Sequence, residues 1–160
     1  MLHSCTECTQ RSDRFLCDLE LDGLKDFDSI KSIQTLPKGS VIFQEGQTAR
    51  GLFLLCQGRV RLTVCSESGR RMTLRVATAG DVLGLSAVMA SGPHEVTGEA
   101  LEDVQVAVVR RKDLLRFLHD HPAVCMQVVN MLSSDLHVAY DRVRAVGLKR
   151  ARPSRTFAIH

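Results

Sequence analysis

The chain has no apolar run approaching the roughly 20 residues that a membrane-spanning helix needs, so no such helix is expected in it. Its start, Met1-Leu2-His3-Ser4-Cys5, lacks a basic head followed by an apolar stretch, which argues against a secretory leader. A cytoplasmic location is the expectation, and there thiols are normally kept reduced. The usual marks of an enzyme are also missing. The six histidines, His3, His94, His119, His121, His137 and His160, include no helical His-Glu-x-x-His pair, and no glycine-rich phosphate loop of the Walker or Rossmann kind occurs. Glu95 and Glu99 sit in a strand-like stretch and read as solvent-facing alternation, not as a catalytic pair. His119-Asp120-His121 reads as a solvated turn before a helix, with metal binding as the lesser alternative. No catalytic residue is expected, and no internal repeat or low-complexity tract is present.

The 160 residues that are there suffice for one well-cored domain with an appendage, and 44% apolar content is ordinary for a globular chain. Net charge is +3 but uneven. Residues 140–160 carry Arg142, Arg144, Lys149, Arg150, Arg152 and Arg155 against Asp141, a net +5 that leaves −2 for the remainder. Such a basic end suits contact with nucleic acid. It equally suits a helix end whose cations favour the negative pole of its dipole.

Asp22 to Ile33 predicts a short helix with Leu24, Phe27 and Ile30 on one face. Thereafter short apolar runs alternate with glycines at 39, 46, 51, 58, 69, 80 and 84. Strands are expected at Ser32–Leu36, Ser40–Phe43, Gly51–Cys56, Val60–Ser66, Arg71–Val76, His94–Ala100 and Val104–Arg110. That density favours an antiparallel jelly roll over a parallel sheet. Lys112–His119 predicts another short helix. A long one follows, with Pro122 in its first turn. Along it, Cys125, Val129, Leu132, Leu136, Ala139, Val143 and Val146 recur at alternating spacings of 4 and 3. This heptad seam predicts a helix that pairs with a second copy of itself, the alternative being a face that only covers the roll. Its length, about 25 residues against a mean of ~11–12, favours pairing. The expected organisation is an arm at 1–20, a roll at 21–120, a pairing helix at 121–148 and a basic linker at 149–160.

The segments Leu36-Pro-Lys-Gly39-Ser-Val-Ile-Phe43-Gln-Glu-Gly46 and Gly51-Leu-Phe-Leu-Leu-Cys-Gln-Gly58-Arg-Val-Arg-Leu62 resemble the cyclic-nucleotide-binding fold. Gly80-Asp-Val-Leu-Gly84-Leu85-Ser86 lies where that family has its phosphate-binding cassette. With the long helix behind it, residues 20–148 resemble the sensor half of a CRP/FNR-type transcription regulator. The resemblance implies a β-roll, mainly β with some α, followed by a dimerisation helix. It also implies that DNA is read by a helix-turn-helix domain that would begin near Arg152–His160 and is not expected within this chain.

Nucleotide-binding members carry a Glu in the cassette and then an Arg-Ser pair for the cyclic phosphate. Here Leu85 replaces the Glu, and His94-Glu95 fall where Arg-Ser would be. No arginine occurs between Arg75 and Arg110, so no shift of register restores the guanidinium. Cyclic AMP or GMP is therefore not the expected ligand. A different small effector near Gly84, Leu85, Ser86, His94 and Glu95 stays open.

Cys5, Cys8 and Cys17 all precede the first strand. A Cys-x2-Cys pair with two further thiolates serves zinc as readily as an iron–sulfur cubane. A dithiol switch and plain thiols are further alternatives. The resemblance to the FNR branch, which holds a [4Fe-4S] cluster on N-terminal cysteines plus one from the roll, implies the cluster. The FNR roll ligand would fall near Ala107, and the third and eighth strands of this fold are neighbours. Cys56 on the third strand is then the expected fourth ligand, with Cys65 second and Cys125 a buried apolar residue. The function implied is a redox- or gas-responsive regulator module. Its alternative is an effector-binding roll with zinc or no metal at the cysteines. A weaker third is a subunit that blocks longer relatives by forming mixed dimers.

Overall fold

A computed structural model describes residues 21–150, with side chains from 22 to 147. Cys5, Cys8, Cys17 and the basic residues Lys149, Arg150, Arg152 and Arg155 lie outside those side chains. The chain divides into two compact units between Cys125 and Met126.

The first unit begins with α1 (Leu21–Ile30), followed by strands β1 (Lys31–Leu36), β2 (Val41–Phe43), β3 (Gly51–Gln57), β4 (Val60–Cys65), β5 (Arg71–Ala77) and β6 (Val82–Leu83). Then come α2 (Leu85–Ala90), β7 (Thr97–Ala100), β8 (Val104–Arg110), α3 (Arg111–Asp120) and the start of α4 (Pro122–Arg150). The strands form two four-stranded antiparallel sheets, ordered β1-β8-β3-β6 and β2-β7-β4-β5. This is the antiparallel roll with a trailing helix that the strand density and the resemblance led one to expect.

Between the sheets lies one apolar core of Phe43, Leu55, Val60, Leu62, Ala77, Leu83, Ala100, Val104 and Val106. In β3 and β8 the alternate residues Leu52, Leu54, Ala107 and Val109 are buried as well. Side chains alternate across a strand, so burial in both phases means that both faces of this sheet are covered. Helix α3 packs on β3 and β8, and α1 packs on α3. Phe27 and Phe117 meet edge to face at 5.8 Å. Two covered faces explain why β3 reads Gly-Leu-Phe-Leu-Leu-Cys, a continuous apolar run and not an alternating one. β5 is exposed at most of its positions.

Three expectations are corrected. The helix expected over Asp22–Ile33 stops at Ile30, because Lys31 to Leu36 pair antiparallel with β8 and Ile33 lies opposite Ala107. The strand expected over His94–Ala100 begins only at Thr97, because the residues before it bond elsewhere. β6, with two residues opposite Phe53 and Leu54, was not anticipated; it is too short to leave a periodic signal.

The second unit, as far as it is described, is the body of α4 from Met126 onward. His121 carbonyl accepts the amide N–H groups of Val124 and Cys125, so the helix opens at Pro122 as its first-turn proline predicts. Val129, Leu136, Val143 and Val146 are exposed, from 51% at Val129 to 68% at Val143. Leu132 is half-buried and Ala139 exposed. Met126, Val138 and Tyr140, off the seam, are exposed too.

Candidate functional site

The segment Glu45–Arg50, between β2 and β3, is tied to the segment that precedes β7. The amide of Gly46 donates to His94 carbonyl at 2.9 Å, that of His94 to Gln47 carbonyl at 2.8 Å, and that of Ala49 to Gly92 carbonyl at 3.0 Å. The Glu45 amide adds a bond to Thr97 Oγ1 at 3.0 Å. His94 is thus fixed through both its backbone groups. Its ring stacks on Phe43 at 4.6 Å between centroids and lies 6.4 Å from Phe53. The residue is 6% exposed. Burial lowers its pKa, against a weaker upward pull from the Glu95 charge. An imidazole with a lowered pKa, held in an aromatic stack, stands at the position where the nucleotide-binding pattern has a guanidinium.

Of the five residues expected around an effector, Gly84 and His94 come together. A Cβ at position 84, which has φ +80°, would sit 3.1 Å from His94 Cε1. Only glycine tolerates both that backbone and that contact. Leu85 is buried, whereas Ser86 and Glu95 are exposed. Helix α2 spans six residues and is capped by Gly84.

A larger opening lies at the end of the roll where β3 begins and β8 ends. This cavity of about 610 Å³ is lined by Ile42, Phe43, Phe53, Val108 and His94, and also by Gln47, Thr48, Arg50, Gly51 and Arg110. The rung Gly51↔Arg110 closes the β3–β8 ladder, and the Arg111 amide donates to Arg50 carbonyl at 3.1 Å. Sequence reasoning missed Arg50 and Arg110 because only strand register makes neighbours of residues sixty positions apart. The one signal was a cation bordering each apolar strand.

Cys56 is the extra residue of a β-bulge: Leu55 faces Val106 and Gln57 faces Gln105, so the register shifts across Cys56. It is half-buried, with Sγ 3.6 Å from Leu54 carbonyl. Leu54 pairs with Ala107, so β3 and β8 are adjacent as expected. Cys65 is exposed at the end of β4, and its amide donates to Glu45 Oε1 at 2.9 Å. Cys125 is half-buried near the start of α4. Among the described residues no cluster of three or more His, Cys, Asp or Glu side chains could hold a metal. His121 Nε2 lies 2.7 Å from Asp26 Oδ2 and its ring tilts against Phe117, so this turn joins α3 to α1.

Residues 33–121 match the family described as the cyclic nucleotide-binding domain. The chain belongs to that family. This cyclic nucleotide-binding domain is similar to the nitrogen fixation regulation protein FixK of Bradyrhizobium diazoefficiens, at 24% identity over 149 residues, covering 93% of this chain and 62% of the relative. It is similar also to the anaerobic regulatory protein of Bacillus subtilis, at 24% identity over 118 residues, covering 73% of this chain and 50% of that one. The chain thus spans between half and two thirds of these regulators' length. Among solved structures, the catabolite activator protein of Thermus thermophilus superposes with a TM-score of 0.76 at 23% identity, covering 81% of this chain and 61% of the other, a likeness of fold. Relatives of this domain are transcriptional regulators, not enzymes. No helix of the described residues is long and apolar enough to cross a membrane.

Proposed function

We propose that this domain is the sensor and dimerisation module of a CRP/FNR-type transcription regulator, responsive to redox state or a diatomic gas through an iron–sulfur cluster on Cys5, Cys8, Cys17 and Cys56. The observation that carries the proposal is the bulge at Cys56. A bulge re-aims one side chain out of the ladder, and this one gives a half-exposed thiol on the strand next to β8. Four thiolates fit a [4Fe-4S] cluster, although the same donor set fits tetrahedral zinc. When bound, a cluster would supply iron that reacts with oxygen or nitric oxide. The chain's own part is to hold one thiol on a rigid strand and three on the segment before α1. Relatives named for anaerobic regulation and nitrogen fixation support the redox assignment over zinc.

The exposed heptad positions of α4 support pairing with a second copy. Reading of DNA is assigned to a separate domain, such as the additional length of the relatives allows. Cyclic nucleotide is not the assigned ligand, because His94 and exposed Glu95 replace the groups a cyclic phosphate needs.

Iron and sulfide analysis of protein purified without oxygen tests the cluster. The expected result is a brown protein with iron and sulfide in equal amounts, whose visible absorbance bleaches in air. C56S is expected to lose most of that iron and C65S to keep it. Colourless protein with stoichiometric zinc, or C56S with full iron content, would overturn the assignment.

A further inference from the structure

The cavity at the open end of the roll joins two kinds of surface. Its apolar lining is Phe43, Phe53 and Val108, with His94, stacked on Phe43, beside them. Arg50 and Arg110 line it too. Among the described residues, no carboxylate pairs with either guanidinium. Arginine stays charged at any physiological pH, while burial keeps the His94 ring neutral. The positive charge therefore comes from two fixed cations, and the ring contributes a stacking face. About 610 Å³ lies within the ~300–1,000 Å³ typical of small-molecule sites. Two neighbouring strand ends hold these cations, since Arg110 is opposite Gly51 and the Arg111 amide is bonded to Arg50. A guanidinium pair beside an aromatic wall is matched by a planar organic acid, through charge-assisted bonds at one end and ring contact at the other.

We infer that the roll mouth binds small aromatic acids, with Arg50 and Arg110 taking the carboxylate or phosphate and Phe43, Phe53 and His94 taking the ring. No cysteine of the described residues lines the cavity, so the inference does not rest on the cluster.

Titration calorimetry on the full chain tests this with three probes of one shape: naphthoate, naphthyl phosphate and the uncharged naphthylmethanol. At least one anion is expected to bind saturably at one per chain, and whichever binds more tightly identifies the acid group. The alcohol is expected to bind at least about tenfold more weakly. R50A and R110A are each expected to weaken the anion roughly tenfold or more, and R50K and R110K to recover part of the loss. Both arginines are exposed, so the variants should melt as the parent does, which circular dichroism checks. Absence of saturable heat from both anions, an alcohol that binds as tightly as they do, or undiminished binding by both folded alanine variants would each overturn the inference.

Discussion

His94 shows how one side chain can decide which ligands a roll accepts. Its amide and carbonyl are both engaged with the segment before β3, so it cannot move without breaking two backbone bonds. Its ring completes a stack with Phe43 that an arginine could join only by burying a charge. Burial also sets a pH dependence. The folded-state pKa lies below that of the unfolded chain, so the unfolded state binds the proton more readily. Stability is then full above the unfolded pKa of about 6.5 and declines as pH falls below it toward the folded value. Between pH 7 and pH 5, H94F is expected to lose less stability in urea melts than the parent does. Equal losses in the two proteins would show that His94 carries no part of the acid sensitivity. From sequence, His94 was legible as a departure from the nucleotide-binding pattern. Its stacking partners were not, because Phe43 and Phe53 lie on strands of different sheets.

The elements divide by how much of their surroundings a local pattern records. Strand β8 was readable to both ends, since seven apolar-rich residues between Asp103 and a run of charges leave no other choice. Helix α1 was overextended because Ile33 fits the helical face equally well, and only pairing with β8 takes it into the sheet. The bulge at Cys56 was invisible, since a register slip belongs to two strands at once. Helix α4 was readable because its pattern repeats over several turns. Leu132, Ala139 and Val146 form one column at intervals of seven, and Val129, Leu136 and Val143 another. Two such columns, exposed except at half-buried Leu132, on a helix of 29 residues leave apolar surface that a second copy can cover. L136E would bury a charge in the middle of such a pair, and is expected to weaken dimerisation by at least about a hundredfold. Light scattering behind size exclusion would read this directly, with the melting of the roll as control, because Leu136 lies outside the first unit. A parent that is monomeric at all concentrations, or an L136E variant that stays dimeric, would remove α4 from the interface.

At the scale of the whole molecule, fold and ligand have come apart. The chain belongs to the cyclic nucleotide-binding domain family, yet fold alone does not carry a function to a site whose residues differ. His94, expected at the cyclic-phosphate position, brings a ring whose pKa burial lowers, and the cations of the cavity it lines are Arg50 and Arg110. Linkage turns this contrast into a measurement, because a ligand that binds only the folded state raises the melting temperature. At one hundred times its Kd the added stability is about 2.7 kcal/mol, or roughly 5–10 °C for a chain of this size. Cyclic AMP at ~1 mM, a hundredfold excess for a receptor of about 10 μM Kd, is expected to move the transition by less than about 1 °C. A chain in which G84A removed a clear cyclic AMP shift would instead place the nucleotide against the His94 ring, and would require His94 and Glu95 to make way for it. The aromatic acids of the roll mouth are expected to shift the same transition upward, by an amount that R50A and R110A reduce together because the two arginines share one anion.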